Sequence, residues 1–311
     1  MDDRATLDHI ERNRERLLGQ LDRQLAVVRD YVRGVDGRYS AGLYLYGPPG
    51  TGKTHTVRGV LEREVKRPYV YQRGHLTPVG LFELFEQNSD EVIVLDDLAS
   101  VFKNDVALQI LLSALERPTA RDGGRVAKDR RMGQERRVVF RGGVVCVSNR
   151  VLHNDELLAA FKSRVHVLNY DPSDAQAGAL ILEIAGRGAP AVTPAEALEV
   201  ARHAIAELLR VGCRFDLRLL VSKALPDYRQ WRDGRTESDW RDLVSAAVEE
   251  NLLAARAGGG ALTREARKDG ETAILRQILR EHATLEARVR AWVERTGKSE
   301  RAFYRRLAEL Q

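Results

Sequence analysis

Apolar residues fall along this chain in two alternating rhythms. Five short, mainly apolar runs, 41–46, 68–72, 91–97, 143–149 and 165–168, each read as a strand. Val92 to Leu95 has no polar alternate, which suits a parallel strand buried on both faces. Between these runs, 56–64, 79–85, 104–116 and 152–163 show helical spacing. In 104–116 the apolar positions are Val106, Leu108, Ile110, Leu111, Leu112 and Leu115. Upstream, Leu7, Ile10, Leu17, Leu18, Leu21, Leu25, Val28 and Val32 predict one or two amphipathic helices over 5–34, able to pack on the strands or on a second copy. The stretch from Gly34 to Gly42 is expected to break that helix.

After Pro172 the pattern turns helical and rich in Ala and Leu up to about 255, with Thr193 and Pro194 marking one helix start. Three consecutive glycines at 258–260 read as a linker. Beyond it, apolar stripes predict three short helices, near 271–281, 284–295 and 299–310, with a tight turn at 296–298. The last two have helix-turn-helix spacing, and the solvent face of the final one would carry Arg301, Tyr304 and Arg305.

The first strand runs into Gly47-Pro48-Pro49-Gly50-Thr51-Gly52-Lys53-Thr54-His55, and a helix follows. Strand, glycine-rich loop and helix in that order make a phosphate cradle. The glycines let successive N–H groups turn inward, and the helix offers its positive end to an anion. Lys53 adds a mobile charge for terminal phosphates, and the Thr54 hydroxyl can ligate Mg²⁺. The 91–97 run ends in two carboxylates. Ligands of parallel sheets gather at the carboxyl ends of the strands, so Asp96 is placed to hold Mg²⁺, directly or through water, and Asp97 to orient or deprotonate an attacking water.

Composition narrows this further. The chain has 311 residues, 43% hydrophobic, and is long enough for two domains. No apolar run approaches the ~20 residues of a membrane span. The amino terminus is charged, which predicts no secretory signal and a cytoplasmic location. Cys146 and Cys213 are far apart in core-like contexts, so two reduced, buried thiols are expected. The net charge of +5 is unevenly spread. Residues 117–141 hold nine Lys/Arg against three Asp/Glu, and 264–311 hold twelve against eight, leaving the remainder net acidic. The 117–141 insert has glycines and no apolar periodicity, as in a projecting loop or hairpin. Two basic segments on an otherwise acidic chain point to an anionic partner.

With these residues in view, the chain resembles the AAA+ ATPase family over about 38–225. The 47–54 motif is similar to its Walker A, and 92–97 to its Walker B. Asn149, at the end of its strand, is similar to sensor 1. Arg164, after Ser163, resembles the arginine finger that reaches the ATP of an adjacent subunit. Arg218 is similar to sensor 2, a lid arginine that contacts the γ-phosphate. The resemblance implies an α/β fold, a P-loop NTPase three-layer αβα core with a parallel sheet, then an α-helical lid and a small C-terminal three-helix domain. The boundaries expected are 1–37 for an N-terminal helical segment, 38–171 for the core, 172–257 for the lid, 258–270 for a linker and 271–311 for the tail. It further implies ATP and Mg²⁺ as cofactors, ATP hydrolysis, and a homo-oligomeric ring or spiral, commonly a hexamer. One departure stands out: most members end Walker B in Asp-Glu, whereas here it is Asp96-Asp97, which favours slow, switch-like hydrolysis.

The substrate reading is a DNA-acting ATPase of replication, transposition or mobile-element type. Arg125, Lys128, Arg130 and Arg131 in the insert, and Lys298, Arg301, Tyr304 and Arg305 in the tail, are its candidate contacts. The alternative is a protein-remodelling ATPase with the tail as a partner-docking module. Such members usually carry an aromatic pore loop after the second strand, and residues 73–77 have no aromatic. A transcription activator ranks last, because 79–110 lacks the loop expected of that class.

Overall fold

The computed structural model describes residues 3–36, 38–65, 67–116, 125–131, 134–152, 156–258, 271–272, 274–275, 278–279, 281–282, 284–296 and 299–308. It divides into two compact units, Ile10–Leu180 and Met1–His9 with Ile181–Gln311.

The first unit is built on a five-stranded sheet of order β2-β3-β6-β1-β7, all neighbours parallel: β1 Gly42–Tyr46, β2 Tyr69–Arg73, β3 Val92–Asp96, β6 Gly143–Ser148 and β7 His166–Asn169. The strands alternate between two separate cores. Tyr44, Ile93, Leu95, Val144 and Cys146 face one, with Leu81, Phe82, Phe85, Leu108, Leu111 and Phe161. These come from α4 (Pro78–Gln87), α6 (Asp105–Ala114) and α7 (Glu156–Lys162). Leu43, Leu45, Val92, Val94, Val145 and Val147 face the other, with Leu21, Val28, Val32 and Val35 of α2 (Arg14–Asp36) and Val57, Val60 and Leu61 of α3 (Lys53–Arg63). Burial on both faces is why the strand sequences are apolar throughout rather than alternating.

The predicted amphipathic stretch forms two helices: α1 (Asp3–Arg12) gives way at Asn13 to α2, which runs through Gly34 and ends at Asp36, inside the stretch expected to break it. Val32 and Val35 are both buried, and that packing outweighs the ~1 kcal/mol a mid-helix glycine costs. Val106, grouped with the apolar positions of α6, is 53% exposed. The basic insert is a hairpin, β4 (Arg125–Arg131) antiparallel to β5 (Gln134–Phe140). Its end is anchored by Phe140, packed on Phe85 at 4.9 Å between ring centroids, and by Arg136, over the Phe82 ring at 4.8 Å and 2.6 Å from Glu86.

In the second unit α9 (Pro194–Val211) begins with a capping box. Thr193 Oγ1 accepts from the Glu196 N–H, and the Glu196 carboxylate accepts from the Thr193 N–H at 2.7 Å. The Thr193 hydroxyl, which donates to that carboxylate at 2.7 Å, then the Thr193 N–H and the Tyr228 hydroxyl, hold the Glu196 carboxyl down to about 2. The helical turn Leu217–Leu219 is capped by Asp216 and passes into a π-helical turn, Leu220–Ala224, before α11 (Leu225–Arg232). Pro226 has no N–H to give the preceding turn, which accounts for the wider winding there. The tail has its own small core of Leu275, Ile278, Ala291, Trp292 and Phe303. It contains the expected helices Leu285–Thr296 and Glu300–Ala308. An ion pair, Arg306 to Glu271 at 2.5 Å, is buried beside them. Residues 259–270 of the expected linker, and 297–298 of the expected turn, lie outside the described residues.

Candidate active site

In the first unit the glycine loop, Asp96, Asp97 and Asn149 converge at the carboxyl ends of β1, β3 and β6. Gly47 leaves β1 so close to the chain after β7 that a Cβ there would meet the Tyr170 carbonyl oxygen at 1.9 Å, so only glycine fits. Pro48 and Pro49 follow, and Thr51, buried, closes the loop by donating to the Pro48 carbonyl at 3.0 Å. Gly50 and Gly52 take left-handed φ values of 67° and 86°, and Gly52 turns the chain directly into α3.

The start of α3 differs from those of α4, α6 and α9. Thr77, Asn104 and Thr193 cap α4, α6 and α9 through side-chain oxygens. Among the described residues no side chain caps α3, and its first turn holds no acidic residue. Its positive end is thus left for an external anion. Lys53, 5% exposed, directs its ammonium back across the loop to the Gly47 and Pro48 carbonyls at 2.9 and 2.5 Å. His55 is exposed on the same helix.

Asn149, at the end of β6, joins the two charges. Its Oδ1 accepts from Lys53 Nζ at 3.1 Å and its Nδ2 donates to Asp97 Oδ2 at 2.8 Å. Asp97 sits just past β3 with φ 58°, a left-handed conformation that aspartate tolerates at a cost of order 1 kcal/mol. Its N–H donates to the Val147 carbonyl at 2.8 Å, which fixes the bend, and the side chain is exposed.

Asp96, one residue earlier, is buried and faces Thr54, whose hydroxyl lies 3.3 and 3.4 Å from its two oxygens. A hydroxyl and a carboxylate so close together are the donor set a hard divalent cation takes at a nucleotide phosphate, so the residues fit Mg²⁺. Two partners of Asp96 had no local signal in the sequence. Tyr71 OH donates to Asp96 Oδ2 at 2.5 Å, and Arg73 donates to the same oxygen from Nε at 2.7 Å and Nη2 at 2.6 Å. Arg73 pairs in register with Asp96 across β2 and β3, so an alignment of strand ends would have found it. Burial, then the bond to Asp96, pushes the Tyr71 hydroxyl up to about 12, so it remains a donor at neutral pH. The Asp96 hydrogen bond raises the Arg73 pKa further.

Arg164 is elsewhere. It precedes β7, at the amino end of the parallel strands, whereas the glycine loop follows the carboxyl end of β1. At ~3.3 Å per residue the five-residue strand puts roughly 15 Å between those levels. Arg164 Nη1 donates to the Ala160 carbonyl at 2.8 Å, and Nη2 lies 3.6 Å from Glu116. It lines a cavity of about 780 Å³ with Arg38, Tyr39, Ser40, Glu116 and His166. Arg218 belongs to the second unit, exposed, its N–H donating to Asp216 Oδ1 at 2.7 Å. Arg301, Tyr304 and Arg305 are exposed on the last helix, as expected, and Lys298 lies outside the described residues. Arg125, Lys128, Arg130 and Arg131 all fall on β4 of the hairpin.

Residues 43–169, from β1 to the end of β7, match the model of the ATPase family associated with various cellular activities (AAA). No curated protein matches the chain. Among solved structures it is similar to PCH-2 of C. elegans, at 16% identity and TM-score 0.40, over 75% of this chain and 69% of that one. It is also similar to a single-substitution mutant of RuvB from Thermotoga maritima, at 16% identity and TM-score 0.44, over 92% of this chain and 84% of that one. With its glycine loop, paired carboxylates and parallel sheet in that order, the segment 43–169 is the part of the chain that resembles an AAA ATPase domain.

Proposed function

We propose that this chain binds ATP with Mg²⁺ and hydrolyses it to drive remodelling or loading on DNA. The observation that carries the nucleotide half is the continuous link Lys53–Asn149–Asp97, which ties the phosphate-facing ammonium to the carboxylate expected to act on water. Gly47 to Thr54 would cradle the phosphates, with His55 at the edge of the site, and Thr54 and Asp96 would hold the metal. Bound there, Mg²⁺ would neutralise charge building on the phosphoryl oxygens. Asp97 takes the proton of the attacking water, and Asn149 keeps that carboxylate in place. Arg164, at the opposite end of the strands from its own loop, would serve the site of a second copy in a ring or spiral, commonly of six. Arg218 would contact the γ-phosphate from the lid.

Titration calorimetry tests the nucleotide half: Lys53→Ala should lose most nucleotide affinity, and uptake as tight as the parent's would overturn the assignment. The DNA half rests on charge: β4 carries Arg125, Lys128, Arg130 and Arg131, and the last helix exposes Arg301, Tyr304 and Arg305. Filter binding with duplex and single-stranded DNA should fall steeply with salt and weaken on removal of 261–311. No salt-sensitive binding in any nucleotide state would favour a protein substrate instead.

A further inference from the structure

Asp96 is 5% exposed, and a buried carboxylate needs a counter-charge. Here the counter-charge is Arg73, which puts two N–H groups on Asp96 Oδ2 while its side chain remains 56% exposed. The pairing is built in at several levels. Arg73 and Asp96 stand opposite each other in the parallel register, so their side chains leave the same face of the sheet. Tyr71, two residues back on that face, adds its hydroxyl to the same oxygen. Arg58, from the loop's own helix, lies 4.3 Å above the Tyr71 ring and Arg73 lies 5.3 Å from it. Oδ2 thus takes three short N–H or O–H contacts and a longer one from Thr54 at 3.4 Å, while among the described residues the Thr54 hydroxyl, at 3.3 Å, is the side-chain donor at Oδ1.

A hydrated divalent cation shared by Thr54 and nucleotide phosphate needs that same carboxylate, and it repels a guanidinium lodged there. We propose that Arg73 is a displaceable counter-ion of Asp96, held in the metal-free state and released as the metal site fills. This rests on the nucleotide reading above. Arg73 therefore sets the magnesium concentration at which the site closes, and it does so without touching nucleotide. The competition is between one hydrogen-bonded charge pair and the cation, so removing the arginine should lower the half-saturating magnesium concentration by about tenfold.

The test is a magnesium titration of the full chain with a fluorescent ATP analogue, beside a second titration of the analogue in EDTA. Arg73→Ala should shift magnesium half-saturation down about tenfold and leave the EDTA affinity as in the parent. Arg73→Lys, which keeps the charge but loses the two-pronged contact, should fall between them. Tyr71→Phe, which frees one position on Oδ2, should shift the same way by less. An unshifted magnesium requirement in Arg73→Ala, with the parent binding normally, overturns this inference alone. Loss of affinity in EDTA overturns it as well, because Arg73 would then be a phosphate ligand. Failure of the parent to bind the analogue overturns the nucleotide reading and this inference together.

Discussion

Replacing Asn149 by alanine tests the link between the ammonium and the carboxylate most directly. The change removes two hydrogen bonds, 3.1 Å from Lys53 and 2.8 Å to Asp97, each to a charged group and so worth about 1.5–3 kcal/mol if nothing replaces it. Replacement is available for both. Lys53 keeps the Gly47 and Pro48 carbonyls, and Asp97 is exposed to water. The net stability cost should therefore be low, about 1–2 kcal/mol, or a melting shift of about 3–6 °C for a unit of this size. Turnover should respond far more. An oriented donor in an active site is worth about 10²–10³ in kcat, because its geometry has no substitute when charge develops. Phosphate release should accordingly fall at least about 100-fold while calorimetry finds nucleotide affinity within a few-fold of the parent. Asn149→Asp should be the worse variant, since it turns a donor to Asp97 into a like charge. Parental turnover in Asn149→Ala, or a collapse of affinity with kcat intact, would refute the reasoning.

Asp97→Asn should bind nucleotide normally and lose steady-state hydrolysis, and normal turnover in that variant removes Asp97 as the catalytic base. Glu196 is held near 2 in the fold against an ordinary 4.5, so its contribution is present above pH 4.5 and is lost as pH falls from there towards 2. Melting curves of Glu196→Gln and parent should therefore differ at pH 6 and converge as pH falls through that window. Trp292 is fully buried in the tail core, so Trp292→Ala should cost about 3–5 kcal/mol there and make the tail protease-sensitive. Among the described residues its indole N–H has no partner, so Trp292→Phe should leave the tail far more resistant to digestion.

Strands and loop were legible because each depends on local pattern. A strand buried on both faces has no polar alternate, and the glycines of 47–54 are required by backbone geometry that no other residue meets. Asp97 and Asn149 were legible for a related reason: each stands where a parallel strand ends, and strand ends can be read off where apolar runs stop. Arg73 and Tyr71 were not. Their importance comes from pairing with β3, and no local spacing in 68–77 announces which strand will lie beside it. The end of α2 within 34–42 was legible from its glycines, but the two residues it runs on past Gly34 depend on the burial that Val32 and Val35 gain from a sheet more distant in sequence. The Arg306–Glu271 pair escaped notice because two charges 35 residues apart look like ordinary surface until helices bring them together.

The position of α2 has a practical side for anyone trimming this protein. The family match begins at residue 43, yet the lower face of the sheet is roofed by Leu21, Val28, Val32 and Val35 from before that point. A fragment begun at the match boundary would leave Leu43, Leu45, Val92, Val94, Val145 and Val147 short of their cover, and such a surface invites clumping. Expression trials should keep the chain from at least residue 14 onward if the ATPase is to be handled by itself.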